Sequence, residues 1–314
     1  MKAMRVFVTG GTGFVGHVLV QKLVQTGHEV TVLVRKKGAS SIFGDSPLRL
    51  SASGGGTVPF YGDVLDFTSL KLGLKDHDAV IHLVGIIREF LKKGITFQRL
   101  HVEATENIIN AAKFHSIKRY LHMSALGTSP NAQARYHQTK FQAEEIVRKS
   151  GLDYTIFRPS VIFGKEDEFV NMFAGMMRAF PIVPLVRARR ASPLLQPIFV
   201  EDVAEGFVSA LSLPETIGQT YDLGGPQSYT LSQILDIIAK VLDRKILKIQ
   251  VPIWWMRFLA TFLDQFPWFP VTREQLLMLQ RDNICDPANF SKTFSIPLTP
   301  FEEGIRKYLV TSPK

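Results

Sequence analysis

Residues 9–16, Thr9-Gly10-Gly11-Thr12-Gly13-Phe14-Val15-Gly16, constrain this chain more than any other segment. They follow an apolar run, Arg5-Val6-Phe7-Val8-Thr9, and open a stretch with helical spacing from 14 to 26. Gly11, Gly13 and Gly16 satisfy G-x-G-x-x-G, and Gly10, Gly13 and Gly16 satisfy the wider G-x-x-G-x-x-G. Glycines in this register permit a tight strand-to-helix turn and close backbone approach, so that a pyrophosphate meets the free N–H groups at the helix N-terminus. A turn of purely structural purpose would not need three glycines so placed. The expected phosphate contacts are Gly10, Thr12, Gly13, Phe14, Val15 and Gly16.

The surrounding pattern sets the fold class. Residues 30–34, 79–83, 120–123 and 154–157 are further near-continuous apolar runs, as expected for strands buried on both faces of a parallel sheet. Helical spacing at 96–115 and 137–150 alternates with them, which implies right-handed crossovers and an α/β, Rossmann-type doubly wound parallel sheet. After about residue 165 the pattern loosens into a smaller, mostly helical C-terminal lobe. The expected division is a dinucleotide domain over 1–165, to which 196–225 return, and a lobe formed by 166–195 and 226–314. Ser51–Gly56 reads as a surface loop. With 46% hydrophobic and 21% charged residues, the chain of 314 residues is neither disordered nor a coiled coil. The single cysteine, Cys285, excludes an internal disulfide, and the eight histidines lack ligand spacing, so no metal is expected.

The end of the second strand sets cofactor preference, because a carboxylate there would bind the ribose hydroxyls of NAD. The residue is Arg35, followed by Lys36, which suits the 2′-phosphate of NADP, so NADP(H) is favoured over NAD(H). Asp63 and Val64, after the third strand, are placed to meet the adenine; a simple aspartate turn is the alternative. The net charge of +9 comes from dispersed basic groups, with no nucleic-acid recognition module. The first residues run straight into a strand without a signal-peptide pattern, so the expected location is cytoplasmic. Ile246–Phe269 is rich in aromatics, but Lys248, Pro252, Arg257, Asp264 and Pro267 interrupt it before a membrane span accumulates. It reads either as a lobe helix with core aromatics or as an amphipathic segment that meets an anionic membrane surface or a partner. The second alternative would place the protein peripherally on the inner face of the membrane.

Tyr136-His137-Gln138-Thr139-Lys140 is a Y-x-x-x-K whose spacing puts both side chains on one helix face. Together with Arg158-Pro159-Ser160-Val161-Ile162-Phe163-Gly164 and Val200-Glu201-Asp202-Val203-Ala204, it resembles the extended and atypical short-chain dehydrogenase/reductase superfamily across nearly the whole chain. The run from Arg158 to Ala174, and the aromatic region leading to Val271-Thr272-Arg273-Glu274, look like the NADPH-binding accessory subunits of respiratory complex I and their bacterial relatives.

The resemblance implies that Tyr136 exchanges a proton with substrate, that Lys140 lowers the phenol's pKa and holds the nicotinamide ribose, and that a hydroxyl fixes the reacting oxygen. Ser124 is the candidate for this third role, although the position that aligns with the family's catalytic hydroxyl is Ala125; Thr128 and Ser129 are substitutes. Leu83, Val84 and Gly85 would pass along the ribose and pyrophosphate, and Pro159, Val161 and Ile162 would flank the nicotinamide. Arg187, Arg189 and Arg190 would suit an anionic substrate or acidic lipid. Two functions follow. One is a binding or assembly protein, structural or weakly catalytic, at a respiratory membrane complex. The other is an active NADP-dependent oxidoreductase, epimerase or dehydratase on a nucleotide-sugar or quinone-related substrate.

Overall fold

The computed structural model describes residues 3–35, 56–187, 192–263 and 272–310. Its first half alternates β1 (Arg5–Thr9), α1 (Phe14–Gln25), β2 (Glu29–Val34), β3 (Thr57–Tyr61), α2 (Phe67–Gly73) and β4 (Ala79–His82). A π-type turn over Gln98–Glu103 leads into α3 (Ala104–Phe114), then β5 (Arg119–Met123), α4 (Arg135–Arg148) and β6 (Asp153–Pro159). Next come β7 (Ile162–Phe163), α5 (Glu168–Ala179), β8 (Ile182–Arg187), β9 (Leu194–Leu195), β10 (Ile198–Phe199), α6 (Val200–Ala210) and β11 (Gln219–Leu223). The chain continues through β12 (Tyr229–Thr230), α7 (Leu231–Val241), β13 (Leu247–Pro252), α8 (Ile253–Leu263), α9 (Arg273–Met278), α10 (Ala288–Phe294) and α11 (Phe301–Leu309).

Among the described residues, seven strands form one parallel sheet in the order β3-β2-β1-β4-β5-β6-β11. Its strands are apolar because both faces are covered: α1 and α6 pack together over one face, and α2, α3 and α4 over the other. This is the Rossmann-type sheet expected from the alternation of strands and helices. The chain passes from β1 outward to β2 and β3, then crosses back to β4, so the order reverses between β1 and β4. Ligands of such sheets bind outside the carboxyl ends of the strands at that reversal. β11 lies beside β6, with Gln219–Leu223 in register with Thr155–Pro159.

Phe157 on β6 carries the aromatic core between sheet and lobe. Its ring lies 4.4 Å from Phe207, 5.6 Å from Phe294 and 6.0 Å from Tyr221, centroid to centroid. Two buried aspartates fasten the C-terminal segment. Asp167 accepts from the backbone N–H groups of Gly164 and Val170 and from the Tyr308 hydroxyl at 3.0 Å. Asp202 accepts from the N–H and hydroxyl of Thr299.

The segment after α7 departs from the expected lobe helix. Residues 247–252 are instead the strand β13, paired in parallel with β8. Leu247, Ile249 and Val251 alternate with polar Lys248 and Gln250, a period of two, and Pro252 ends the run before α8 begins. Nor do three aromatics of α8 form core: Trp254 is 66%, Trp255 44% and Phe258 53% exposed. Phe266, Trp268 and Phe269 lie outside the described residues, as do Lys36, Arg189, Arg190 and most of the Ser51–Gly56 loop.

Phe207 is fully buried, so Phe207→Ala should cost about 3–5 kcal/mol of unfolding free energy, measured by urea denaturation.

Candidate functional site

The glycine loop joins β1 to α1 with no room for side chains at its contacts. Gly10 has a φ of +76°, and a Cβ there would stand 3.1 Å from the backbone of Leu83 and Val84. A Cβ on Gly16 would strike the Gly10 carbonyl and come within 2.6 Å of Gly11 Cα. The loop, the end of β4 and the start of α1 are thus backbone against backbone. Gly13 is the N-cap of α1 and offers no side-chain cap, and the helix's first turn holds no acidic residue. Its free N–H groups and exposed Thr12 form a cradle that fits a pyrophosphate in both shape and charge.

Around this cradle the expected cofactor residues take separate places. Phe14 is half-buried and Val15 buried at the start of α1. Arg35 follows β2 and is exposed, with no ion pair among the described residues. Asp63 is exposed after β3, and one of its oxygens accepts from the Leu65 N–H at 2.9 Å. It is therefore an aspartate turn with a second oxygen left over. Val64 is buried, and its carbonyl accepts from Asn107. Leu83 and Val84 abut the glycine loop, and Gly85 meets Lys140: a Cβ on Gly85 would stand 2.9 Å from Lys140 Nζ. Pro159, Val161 and Ile162 follow one another where β6 passes into β7; the Pro159 carbonyl accepts from Leu126 N–H, and that of Val161 from Ile198 N–H.

Tyr136 and Lys140 share a face of α4, as their spacing requires. The Tyr136 ring lies edge-on to Phe97, His101 and His137, at 5.9, 5.4 and 5.1 Å. Lys140 is buried and donates to the Met123 carbonyl at 3.0 Å. Burial pushes its ammonium down to about 8, partly offset by the charge of Glu144. The phenol differs from the expectation of a lowered pKa: burial pushes Tyr136 up to about 12. Desolvation disfavours the charged phenolate.

The hydroxyls expected at the third catalytic position make local contacts. The Ser124 hydroxyl is engaged by the Glu144 carboxylate and lies 3.5 Å from Thr128 Oγ1. Thr128 in turn donates to the carbonyl of Ala125 at 2.6 Å, and the Ser129 hydroxyl accepts from the Asn131 N–H. Each hydroxyl expected near Tyr136 has a local protein partner.

Several residues that the sequence reading passed over complete the site. His101 sits in the π-type turn before α3, stacked on Phe97. His101 Nδ1 lies 2.9 Å from the Thr139 hydroxyl, and Nε2 lies 3.2 Å from both the N–H and the carbonyl of Ile86. Glu89 accepts from the Phe97 N–H and from Arg135, tying the segment before α3 to α4. Glu144 recurs four residues after Lys140 on the same helix face, which was the signal available in the sequence. Among the described residues, no group of three or more His, Cys, Asp or Glu is arranged to hold a metal.

Fold and glycine cradle together define a dinucleotide-binding protein of the Rossmann type. A family model described as NAD(P)H-binding matches residues 10–172. The chain is 31% identical over 284 residues to the mitochondrial NADH dehydrogenase (ubiquinone) 1 alpha subcomplex subunit 9 of Arabidopsis thaliana, covering 88% of this chain and 68% of that protein. The Dictyostelium discoideum protein of the same name is 29% identical over 302 residues, 95% of this chain and 82% of its own length. The chain therefore belongs to the NAD(P)H-binding family that includes these subunit 9 proteins. Its fold matches that of Thermus thermophilus UDP-glucose 4-epimerase solved with NAD, with a TM-score of 0.74, 19% identity and 98% of each chain covered.

Two outcomes follow from this geometry. Gly85→Ala places a methyl against Lys140, and dinucleotide affinity should fall by about tenfold, some 1.4 kcal/mol, in a binding titration on folded protein. Acid should destabilise the chain through its buried imidazoles. Burial first, and other positive charges including Lys140 second, lower His82 to about 3 and hold His101 and His122 well below the usual histidine value. Below pH ~6.5 the unfolded state takes up protons that these rings refuse, so stability falls by up to roughly 1.4 kcal/mol per ring per pH unit, and it is fully present only above that value. Urea midpoints at pH 7 should exceed those at pH 5.

Proposed function

We propose that this chain binds NADP(H) in preference to NAD(H) and acts as a structural or weakly catalytic accessory component of a respiratory membrane complex. The similarity over most of the chain to subunit 9 proteins of NADH dehydrogenase carries this reading. The local partners of the Ser124, Thr128 and Ser129 hydroxyls support it, and so does the burial that raises the Tyr136 phenol.

In this reading Gly10, Thr12, Gly13, Phe14, Val15 and Gly16 hold the pyrophosphate, Arg35 pairs with the 2′-phosphate, and Asp63 and Val64 border the adenine. Leu83, Val84 and Gly85 run beside the ribose, Tyr136 and Lys140 approach the nicotinamide half, and Pro159, Val161 and Ile162 flank its ring. When bound, the nicotinamide supplies a hydride donor or acceptor. The protein's own share is orientation: Lys140 brings an ammonium, Gly85 leaves it room, and Glu144 keeps positive charge on it favourable. Residues 1–165 with 196–225 form the cofactor unit, and 166–195 with 226–314 form the lobe that meets the partner.

The docking face in this proposal is α8 with the β8–β13 pair. Ile182 stands in register with Leu247, and both are exposed, as are Ile249, Trp254, Trp255 and Phe258. Among the described residues no helix is long and apolar enough to cross a membrane. A peripheral place on the inner face of a membrane suits such a surface, since aromatic side chains favour the boundary between water and lipid.

The alternative is an active NADP-dependent oxidoreductase, epimerase or dehydratase, favoured by Tyr136 and Lys140 on one face of α4. A substrate screen separates the two readings: turnover that disappears in Tyr136→Phe would establish the enzyme, whereas the accessory role expects the variant to match its parent. NADPH at 100 times its dissociation constant should stabilise the protein by about 2.7 kcal/mol, read as a higher melting temperature. Arg35→Glu should weaken NADPH binding roughly tenfold to a hundredfold, the value of a hydrogen bond to a charged group, and leave NADH nearly unchanged. Equal losses for both nucleotides would remove the case for NADP preference.

A further inference from the structure

His82 on β4 and His122 on β5 stand opposite each other in the sheet register, and Tyr120 precedes His122 by two residues on the same face. The ring centroids are 5.5 Å apart for His82 and His122, 6.1 Å for Tyr120 and His122, and 6.5 Å for His82 and Tyr120. Tyr120 packs beneath α3 and α4 among Ile108, Ala112 and Val147. All three residues are essentially closed to solvent.

Four of their polar atoms are buried without a hydrogen-bond partner among the described residues: His82 Nε2, both ring nitrogens of His122, and the Tyr120 hydroxyl. His82 uses its other nitrogen on the Thr9 hydroxyl at 2.6 Å. Native interiors rarely leave such atoms orphaned, and four in one place point to an occupant. Both imidazoles are held neutral by burial and by neighbouring positive charge, Lys140 included. A neutral imidazole offers one donor and one acceptor, and a phenol offers both. A cation would leave the donors unmet, and an anion would leave the acceptors unmet. Water satisfies this mixed set, and buried water ordinarily takes two to four such partners.

We propose that His82, His122 and Tyr120 enclose an internal water site on the inner side of Lys140, and that its water hydrates the Lys140 ammonium. Lys140 donates to the Met123 carbonyl on β5 and carries two further hydrogens. The other titratable groups around it are Glu144 on its own helix, His82 on β4, His122 on β5 and His101 before α3. The site is independent of which nucleotide the chain prefers and of whether Tyr136 is catalytic.

Oxygen-17 and deuteron relaxation dispersion on the full chain count long-lived internal water, and nitrogen-15 lysine spectra follow Lys140. His122→Phe and Tyr120→Phe should each lose long-lived water, while His122→Gln, which keeps a donor and an acceptor, should retain it. The Lys140 titration midpoint should fall in Tyr120→Phe. An unchanged water count in Tyr120→Phe, especially with a raised melting temperature, would overturn the site, because it marks a hydroxyl that had been orphaned. Lost water with an unmoved Lys140 midpoint would overturn its role toward the lysine. Tyr120→Phe removes only one oxygen, so it carries the test if His122→Phe fails to fold.

Discussion

The Glu144 carboxylate is the point on which the site's geometry turns. Its side chain is fully buried, yet Arg158 grips it with two hydrogen bonds of 2.8 and 2.6 Å, and Arg148 adds a third at 2.6 Å. Burial opposes its ionisation, but the bonds from Arg158, Ser124 and Arg148, together with the charge of Arg158, hold its pKa below the usual carboxylate value. Through these partners one side chain connects α4, the end of β5 and β6. A buried pair of this kind adds little net stability when whole, but removing one partner strands a charge, which costs about 3–5 kcal/mol. The arrangement specifies position: α4 cannot shift along the sheet without breaking it, and α4 carries Tyr136 and Lys140.

The same carboxylate holds Ser124, and a separate cluster of rings surrounds Tyr136. Ser124 was the nearest hydroxyl in the sequence to the required place, but Glu144 and Thr128 claim it. A serine at position 125 would stand on the other side of the strand, in keeping with the alternation of an extended chain; the residue there is Ala125. Meanwhile the Phe97 and His101 rings close around Tyr136 and desolvate it. A phenol in that setting keeps its proton, and no free hydroxyl has been placed beside it among Ser124, Thr128 and Ser129.

The parts of the molecule legible in the sequence were those fixed by local rules. The glycine loop, the apolar runs of β1, β2, β4 and β5, and the four-residue spacing of Tyr136 and Lys140 each follow from backbone geometry or burial on two faces. What was illegible depended on contacts across the chain. Glu144 needs Arg158, fourteen residues away, before its burial makes sense, and the unpartnered nitrogens of His122 appear only once β4 lies beside β5. β13 was misread because its apolar residues run straight into those of α8, so composition masked a change of period at Pro252.

The lobe's exposed aromatics raise a different physical question from the separately exposed Leu72, Leu91, Phe114 and Phe180. Single exposed hydrophobics are ordinary, but a contiguous group is not. Here Ile182, Leu247 and Ile249 are brought together by the β8–β13 pairing, and α8 follows directly from β13 with Trp254, Trp255 and Phe258 exposed. The pairing is therefore what converts scattered residues into a surface. Among the described side chains of that helix, Ala260 is buried against Leu276 of α9, with Met256 and Leu259 packed beside it, while Trp254, Trp255 and Phe258 are exposed. A helix held in this way is poorly explained as core.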